Sequence, residues 1–153
     1  MRFDKEVFST NSSIINGELN IAGIRAQTLT KEFGSPLFVL DESDFRERAK
    51  SWKSALSKHF DGNAGEVYYA AKSFVCIEVA KMVAESGIGI DVCSGGELAV
   101  ALAADFPADR IELHGNNKSI DEIQKAVKVG VSRIVIDSMQ EIERILVSAL
   151  YHT

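Results

Sequence analysis

Four polar residues close or interrupt short apolar runs: Lys72 after "VYYAA", Asp91 in "GIGIDVC", His114 in "IELHG" and Asp137 in "RIVIDS". An amine, two carboxylates and an imidazole at comparable places in successive segments can do acid–base or nucleophilic work. Lys72 is the sharpest of them. A lysine amine that has lost its proton attacks a carbonyl carbon, and burial favours that neutral form. Its natural partner is an aldehyde cofactor that acts as an electron sink. The same position also suits a lysine that snorkels at a strand end or pairs with Asp91. Asp91 fits tuning of the amine or of a cofactor, and equally a structural role. "HGNNKS" gathers the donors of His114 and Asn116, and also has the composition of a turn before a helix. Asp137 reads as structural, and His59 and His152 as surface residues.

The elements that must position these residues recur with a rhythm. From Lys72 to Asp91, His114 and Asp137 the steps are 19, 23 and 23 residues, one strand and one helix per step. Strand parity groups Tyr68, Ala70 and Lys72 on one face. The aliphatic Ile88, Ile90, Ile111, Leu113, Ile134 and Ile136 alternate with a set that holds Asp91, His114 and Asp137. The aliphatic set suits a helix layer, and the polar set a barrel interior. Three S-x-x-E signatures, Ser94–Glu97, Ser119–Glu122 and Ser138–Glu141, mark helix starts as capping boxes. That pattern is a sufficient reason for Glu97 on its own. Gly87 and Gly130 sit where helices end. Repeated β/α units predict parallel strands covered by helices, in an open doubly wound sheet or in a barrel. The chain has 153 residues and a (β/α)8 barrel takes about 250, so there is room for about four units.

Upstream, "IINGELNIAGI" predicts one or two short strands, "LFVLD" a further strand, and "ESDFRERAKSWKSALSKHF" a helix with Phe45, Ala49, Trp52 and Leu56 on one face, ended by "DGNAG". Hydrophobic residues make up 46% and charged residues 25%, as in a globular protein, and the net charge is −5 without a dense basic run. The expectation is no nucleic-acid and no membrane partner. The polar start and the absence of a 20-residue apolar stretch predict a cytoplasmic protein. Cys76 and Cys93 are expected as reduced thiols, and no metal site is expected, because no histidine stands at ligand spacing from them. The glycines of "SGIGIDVCSGGE" do not form a dinucleotide fingerprint.

Taken together, "VYYAAKSF", "GIGIDVCSGGELAVAL", "IELHGNNKS" and "RIVIDSMQEIERI" resemble the N-terminal part of the diaminopimelate decarboxylases, the actinobacterial branch especially. The resemblance runs from about Pro36 to Ile145 and more loosely upstream. It implies an α/β fold: the first half of a (β/α)8 barrel over residues 36–153 that binds pyridoxal 5′-phosphate, with residues 1–35 contributing to a second, β-rich domain. It implies decarboxylation of meso-2,6-diaminopimelate to L-lysine, the last step of lysine biosynthesis, by a homodimer at full length. Carried over by motif, Lys72 holds the cofactor covalently and Asp91 lies beside it. Ala70, Glu97, His114 and Asn116 complete the cofactor-binding set. Alternatives are a non-catalytic fragment that binds the cofactor or associates with other chains, and another amino-acid decarboxylase of the same fold type. In the resembled family the remaining site residues lie further along the chain. The isolated chain is therefore expected to release no carbon dioxide from meso-diaminopimelate. Release that is lost in Lys72→Ala would overturn this.

Overall fold

Glycine-punctuated apolar residues between 12 and 25 fold as tight hairpins. The computed structural model describes residues 7–60 and 65–150. It divides into two compact units, Met1–Ser51 and Trp52–Thr153. In the first, β1 (Ser12–Ile15), β2 (Glu18–Ile21) and β3 (Ile24–Arg25) form an antiparallel meander with Ile15 opposite Glu18 and Ile21 opposite Ile24. Asn16–Gly17 and Ala22–Gly23 make the turns with positive φ at both positions, the geometry that matches strand twist in two-residue hairpins. There are thus three short strands where one or two were expected. Helix α1 (Ala26–Phe33), which the mixed composition of that stretch concealed, follows directly.

Residues 37–40 of "LFVLD" form no strand. Phe38, Val39 and Leu40 are exposed, and a strand is a property of a pair, so an apolar run without a laddered neighbour remains irregular. Asp41 instead caps α2 (Glu42–His59): its Oδ1 accepts from the Asp44 N–H at 3.1 Å. Within the same unit Asp44 accepts from the Thr10 hydroxyl at 2.7 Å. Along α2, Ala49 is buried and Phe45 and Leu56 half-buried, but Trp52 is 68% exposed. The "DGNA" stretch expected to end α2 lies outside the described residues, as does His152.

The second unit has the expected rhythm. Strand β4 (Tyr68–Ala70) leads to α3 (Ile77–Glu85), β5 (Gly89–Val92) to α4 (Gly95–Ala103), β6 (Ile111–Leu113) to α5 (Ile120–Val129), and β7 (Arg133–Ile134) to α6 (Met139–Leu150). The four strands are parallel and lie in chain order, β4-β5-β6-β7. A doubly wound sheet reverses its order at a switch point. The four strands show no reversal, as in a segment of a barrel. Ile88, Ile90, Val92, Ile111 and Leu113 are buried, and Val79, Val83, Leu98, Ala101, Ile123 and Ala126 from the helices complete the core.

The helices begin and end much as their sequences require. Ser94 accepts from the Glu97 N–H at 3.2 Å, and Ser119 with Glu122 forms a complete capping box. Gly130 closes α5 in the left-handed conformation, φ 74°. Gly89 has a different reason to be glycine. A Cβ there would lie 2.4 Å from Tyr68 Cε1 and 2.9 Å from the Arg110 carbonyl oxygen. Gly89→Ala should therefore destabilise the second unit by about 1–3 kcal/mol. Denaturant unfolding with an unchanged midpoint would refute that contact.

Candidate functional site

Parallel register sets one row across the sheet: Ala70 beside Asp91, Asp91 beside Glu112, Glu112 beside Arg133. In such a row neighbouring side chains share a face, here the face opposite the aliphatic core. The expected strand ends are not level, however. Asp91 lies inside β5, with Val92 after it. His114 is one residue beyond β6, and its N–H extends the ladder to the Val92 carbonyl at 2.8 Å. Asp137 stands three residues beyond β7, exposed.

Lys72 departs most from expectation. Strand β4 stops at Ala70, and Ala71–Ser73 form a 3-10 turn, so the alternation that grouped Lys72 with Tyr68 and Ala70 ends before reaching it. Nor is it buried: the side chain is exposed, and among the described residues its amine has no hydrogen bond or ion pair. The turn that carries it is braced by its neighbours. Tyr69 donates its hydroxyl to the Phe74 carbonyl at 2.6 Å, and Ser73 Oγ donates to the Ala70 carbonyl at 2.8 Å. Nothing in the spacing of Tyr69 signals this role.

Asp91 is half-buried. Its side chain is 16% exposed. Oδ2 lies 3.7 Å from His114 Nδ1, while Oδ1 is buried without a donor. One ligating atom each of Asp91, Glu112 and His114 falls within 4.8 Å of the others. A positive side chain already faces that group: Arg133 Nη1 is 3.5 Å from Glu112 Oε2. Its Nη2 reaches Glu66 Oε2 at 2.6 Å, and its guanidinium lies over the Tyr68 ring, 5.4 Å from the centroid. The Tyr68 hydroxyl donates to Glu66 at 2.7 Å. Sequence reasoning missed Arg133 and Glu66, although Arg133 has the same strand parity as Asp137.

Glu97 serves the helix start. Its Oε2 accepts from the Cys93 N–H at 2.7 Å, one residue before the cap. This holds Cys93, whose thiol is pushed up by burial and then by the Asp91 and Glu97 carboxylates. Asn116 is exposed in the turn after His114. The same turn holds Lys118, buried against Glu141 with Nζ 2.9 Å from Oε2. A cavity of about 330 Å³ opens at the opposite, amino-terminal end of the strands, lined by residues including Lys53, Phe60, Tyr68 and Arg110. None of the expected site residues lines it.

The residues at the carboxyl ends fit the aldehyde side of a pyridoxal cofactor. Lys72 offers an uncommitted primary amine, and Asp91 Oδ1 is a buried acceptor that lacks a positive or donating partner. Parallel strands in chain order, with an amine and an acid near their carboxyl ends, are the arrangement of a β/α barrel segment. Residues 42–150 match the family described as pyridoxal-dependent decarboxylase, pyridoxal binding domain. The chain belongs to that family. It is 54% identical over 129 residues to the diaminopimelate decarboxylase of Mycobacterium tuberculosis, a match covering 84% of this chain and 28% of that protein. The Bacillus subtilis diaminopimelate decarboxylase is 43% identical over 127 residues, covering 83% and 28%. The chain thus spans about 28% of the length of these relatives. Among solved structures, the "m. jannaschii" diaminopimelate decarboxylase in co-complex with L-lysine superposes with a TM-score of 0.83 at 27% identity, over 94% of this chain and 33% of that one. The α/β fold and the resemblance to diaminopimelate decarboxylases expected from the motifs are borne out.

Glutamates at the helix starts tie the rim of this site together, and they make it acid-sensitive. The Ser119 and Gly95 N–H groups hold the Glu122 carboxyl below the usual range. For Glu141, burial pushes upward, but the Asp137 N–H together with the Lys118 amine and N–H outweighs it and the result is lowered. Both start from 4.5 in the unfolded chain. Their stabilisation is complete above that value and is lost as pH falls through the lowered folded values. Glu122→Gln should flatten the acid limb of a stability-versus-pH curve. An acid limb as steep as the parent's would refute its part in it.

Proposed function

We propose that the whole protein to which these residues belong decarboxylates meso-2,6-diaminopimelate to L-lysine, and that this chain carries its lysine-bearing cofactor site. The observation that carries the reading is 54% identity to a mycobacterial diaminopimelate decarboxylase over the segment holding Lys72, Asp91 and His114. L-lysine in the related "m. jannaschii" structure supports the product. The reading extends to a closed (β/α)8 barrel, a cytoplasmic location and a homodimer at full length, each supported by the family resemblance. Among the described residues no helix is long and apolar enough to cross a membrane.

Pyridoxal 5′-phosphate, when bound, supplies an aldehyde that captures amines and a ring that takes up the electron pair left by the departing carboxylate. The groups of this chain contribute binding, orientation and proton handling. Lys72 Nζ is the nucleophile that anchors the cofactor. With substrate bound, Nζ would stay just beyond β4, where it could hold or move a proton. Asp91 Oδ1 offers negative charge toward a cationic group on the ligand, and its enclosure strengthens that interaction. His114 and Asn116 present exposed donors on the adjacent turn. Ala70 leaves room beside Asp91, and Glu97 acts through the Cys93 N–H to hold the turn that follows Asp91.

Cofactor attachment can be tested apart from turnover. After incubation with pyridoxal 5′-phosphate and reduction with borohydride, peptide mass spectrometry should find one dominant adduct, on Lys72, that is lost in Lys72→Ala. A label spread over many surface lysines would sink the assignment.

A further inference from the structure

Lys118 is a buried charge that the reaction leaves unused. Its side chain is 2% exposed and that of Glu141 is 1%. Lysine is almost never fully buried unless paired, so the loss of water around this amine has to be offset on the spot. Nζ donates to Glu141 Oε2 at 2.9 Å and to the Gly115 carbonyl. The Lys118 N–H donates to Glu141 Oε1 at 3.2 Å, and its carbonyl accepts from Arg144 at 2.9 Å. Glu141 Oε2 also accepts from the Asp137 N–H at 3.0 Å. One ion pair thus fastens the turn after β6 to the turn after β7 and to the start of α6.

We propose that the Lys118–Glu141 pair is the positioning device of the cofactor site, setting the turn that presents His114 and Asn116. The proposal rests on the functional reading of the strand ends given above. Its geometry is that of a clamp. The amine reaches back to the Gly115 carbonyl from inside the turn, and His114 and Asn116 are left exposed on the outside. Volume alone does not explain the pair, because apolar residues of similar size often replace a buried ion pair at no loss of stability. What an apolar pair cannot replace is direction. The Gly115 carbonyl and the Lys118 and Asp137 N–H groups would lose the partners that fix their orientation. Lys118 and Glu141 are accordingly positioning residues, acting through the turn and not on the ligand.

The test compares the parent chain with Lys118→Met and with Lys118→Met/Glu141→Leu. The single variant leaves a carboxylate buried and unpaired and should melt lower; the double variant removes that charge and should recover much of the Tm. In the double variant, exchange of the 115–118 amides should quicken while β5 amides keep parental rates. Affinity for pyridoxal 5′-phosphate should fall about tenfold, with altered visible circular dichroism of the bound cofactor. Parental exchange in the turn would overturn the clamp. Faster exchange with parental affinity and dichroism would overturn the positioning role. A parent chain that takes up no pyridoxal 5′-phosphate would overturn the functional reading, and with it any role toward that ligand, while the exchange rates still decide whether the pair sets the turn.

Discussion

The parallel register of β4 to β7 is the constraint on which the site depends. Side chains alternate along a strand, so a one-residue slip would carry Asp91 and Glu112 into the core and Ile90 and Ile111 out of it. Ile90, Val92, Ile111 and Leu113 are each no more than 1% exposed. Burial of each such side chain stabilises by about 1.5–3 kcal/mol, and a slip would forfeit that while also burying two carboxylates. The aliphatic face thereby enforces the direction in which the acids point. Their placement needs no special local device.

The opposite face carries the consequence. Three strand spacings, about 14 Å on a flat sheet, separate β4 from β7. Yet Glu66, just before β4, meets Arg133 at 2.6 Å, and the Tyr68 hydroxyl lies 3.5 Å from Ser132 Oγ. Side chains of these lengths touch only because the sheet curls. Curl brings the charges together, and Arg133 answers both Glu66 and Glu112 while stacking over Tyr68. An exposed ion pair contributes little by itself. The ring contact and the shared guanidinium make this a network with one geometry, at the foot of the row that holds Asp91.

Period and punctuation made the second unit legible. Strand alternation, helix-start serines and glycines at Gly87 and Gly130 are local properties, and the β/α order followed from them. The residues that escaped are defined by partners distant in sequence. The stretch 37–40 looks like a strand because it is apolar, but it has no ladder. Helix α1 was hidden because its eight residues contain no buried side chain to give a period. Lys72 was placed on a strand by counting twos, and the count fails where the backbone coils into a 3-10 turn. Arg133 and Lys118 resemble any surface cation in the sequence. Only the fold reveals that one spans the sheet and the other is sealed inside a turn.

The three S-x-x-E signatures show how far a local motif can be trusted. Each serine does sit at a helix start, and each glutamate does satisfy backbone donors, but the wiring differs. Glu122 closes the box on Ser119 and also reaches the Gly95 N–H of the preceding unit at 2.7 Å. Glu97 turns to the Cys93 N–H. Glu141 is drawn away to Lys118, whose N–H belongs to the unit before it. Carboxylates that accept backbone N–H bonds make strong, directional links. Two of the three therefore stitch one helix start to the previous one, along the rim where the strands end. Core packing orients the row of acids, and this separate polar seam holds the loops above it. The two can vary independently, so the loops of such a site can change while the scaffold beneath them stays the same.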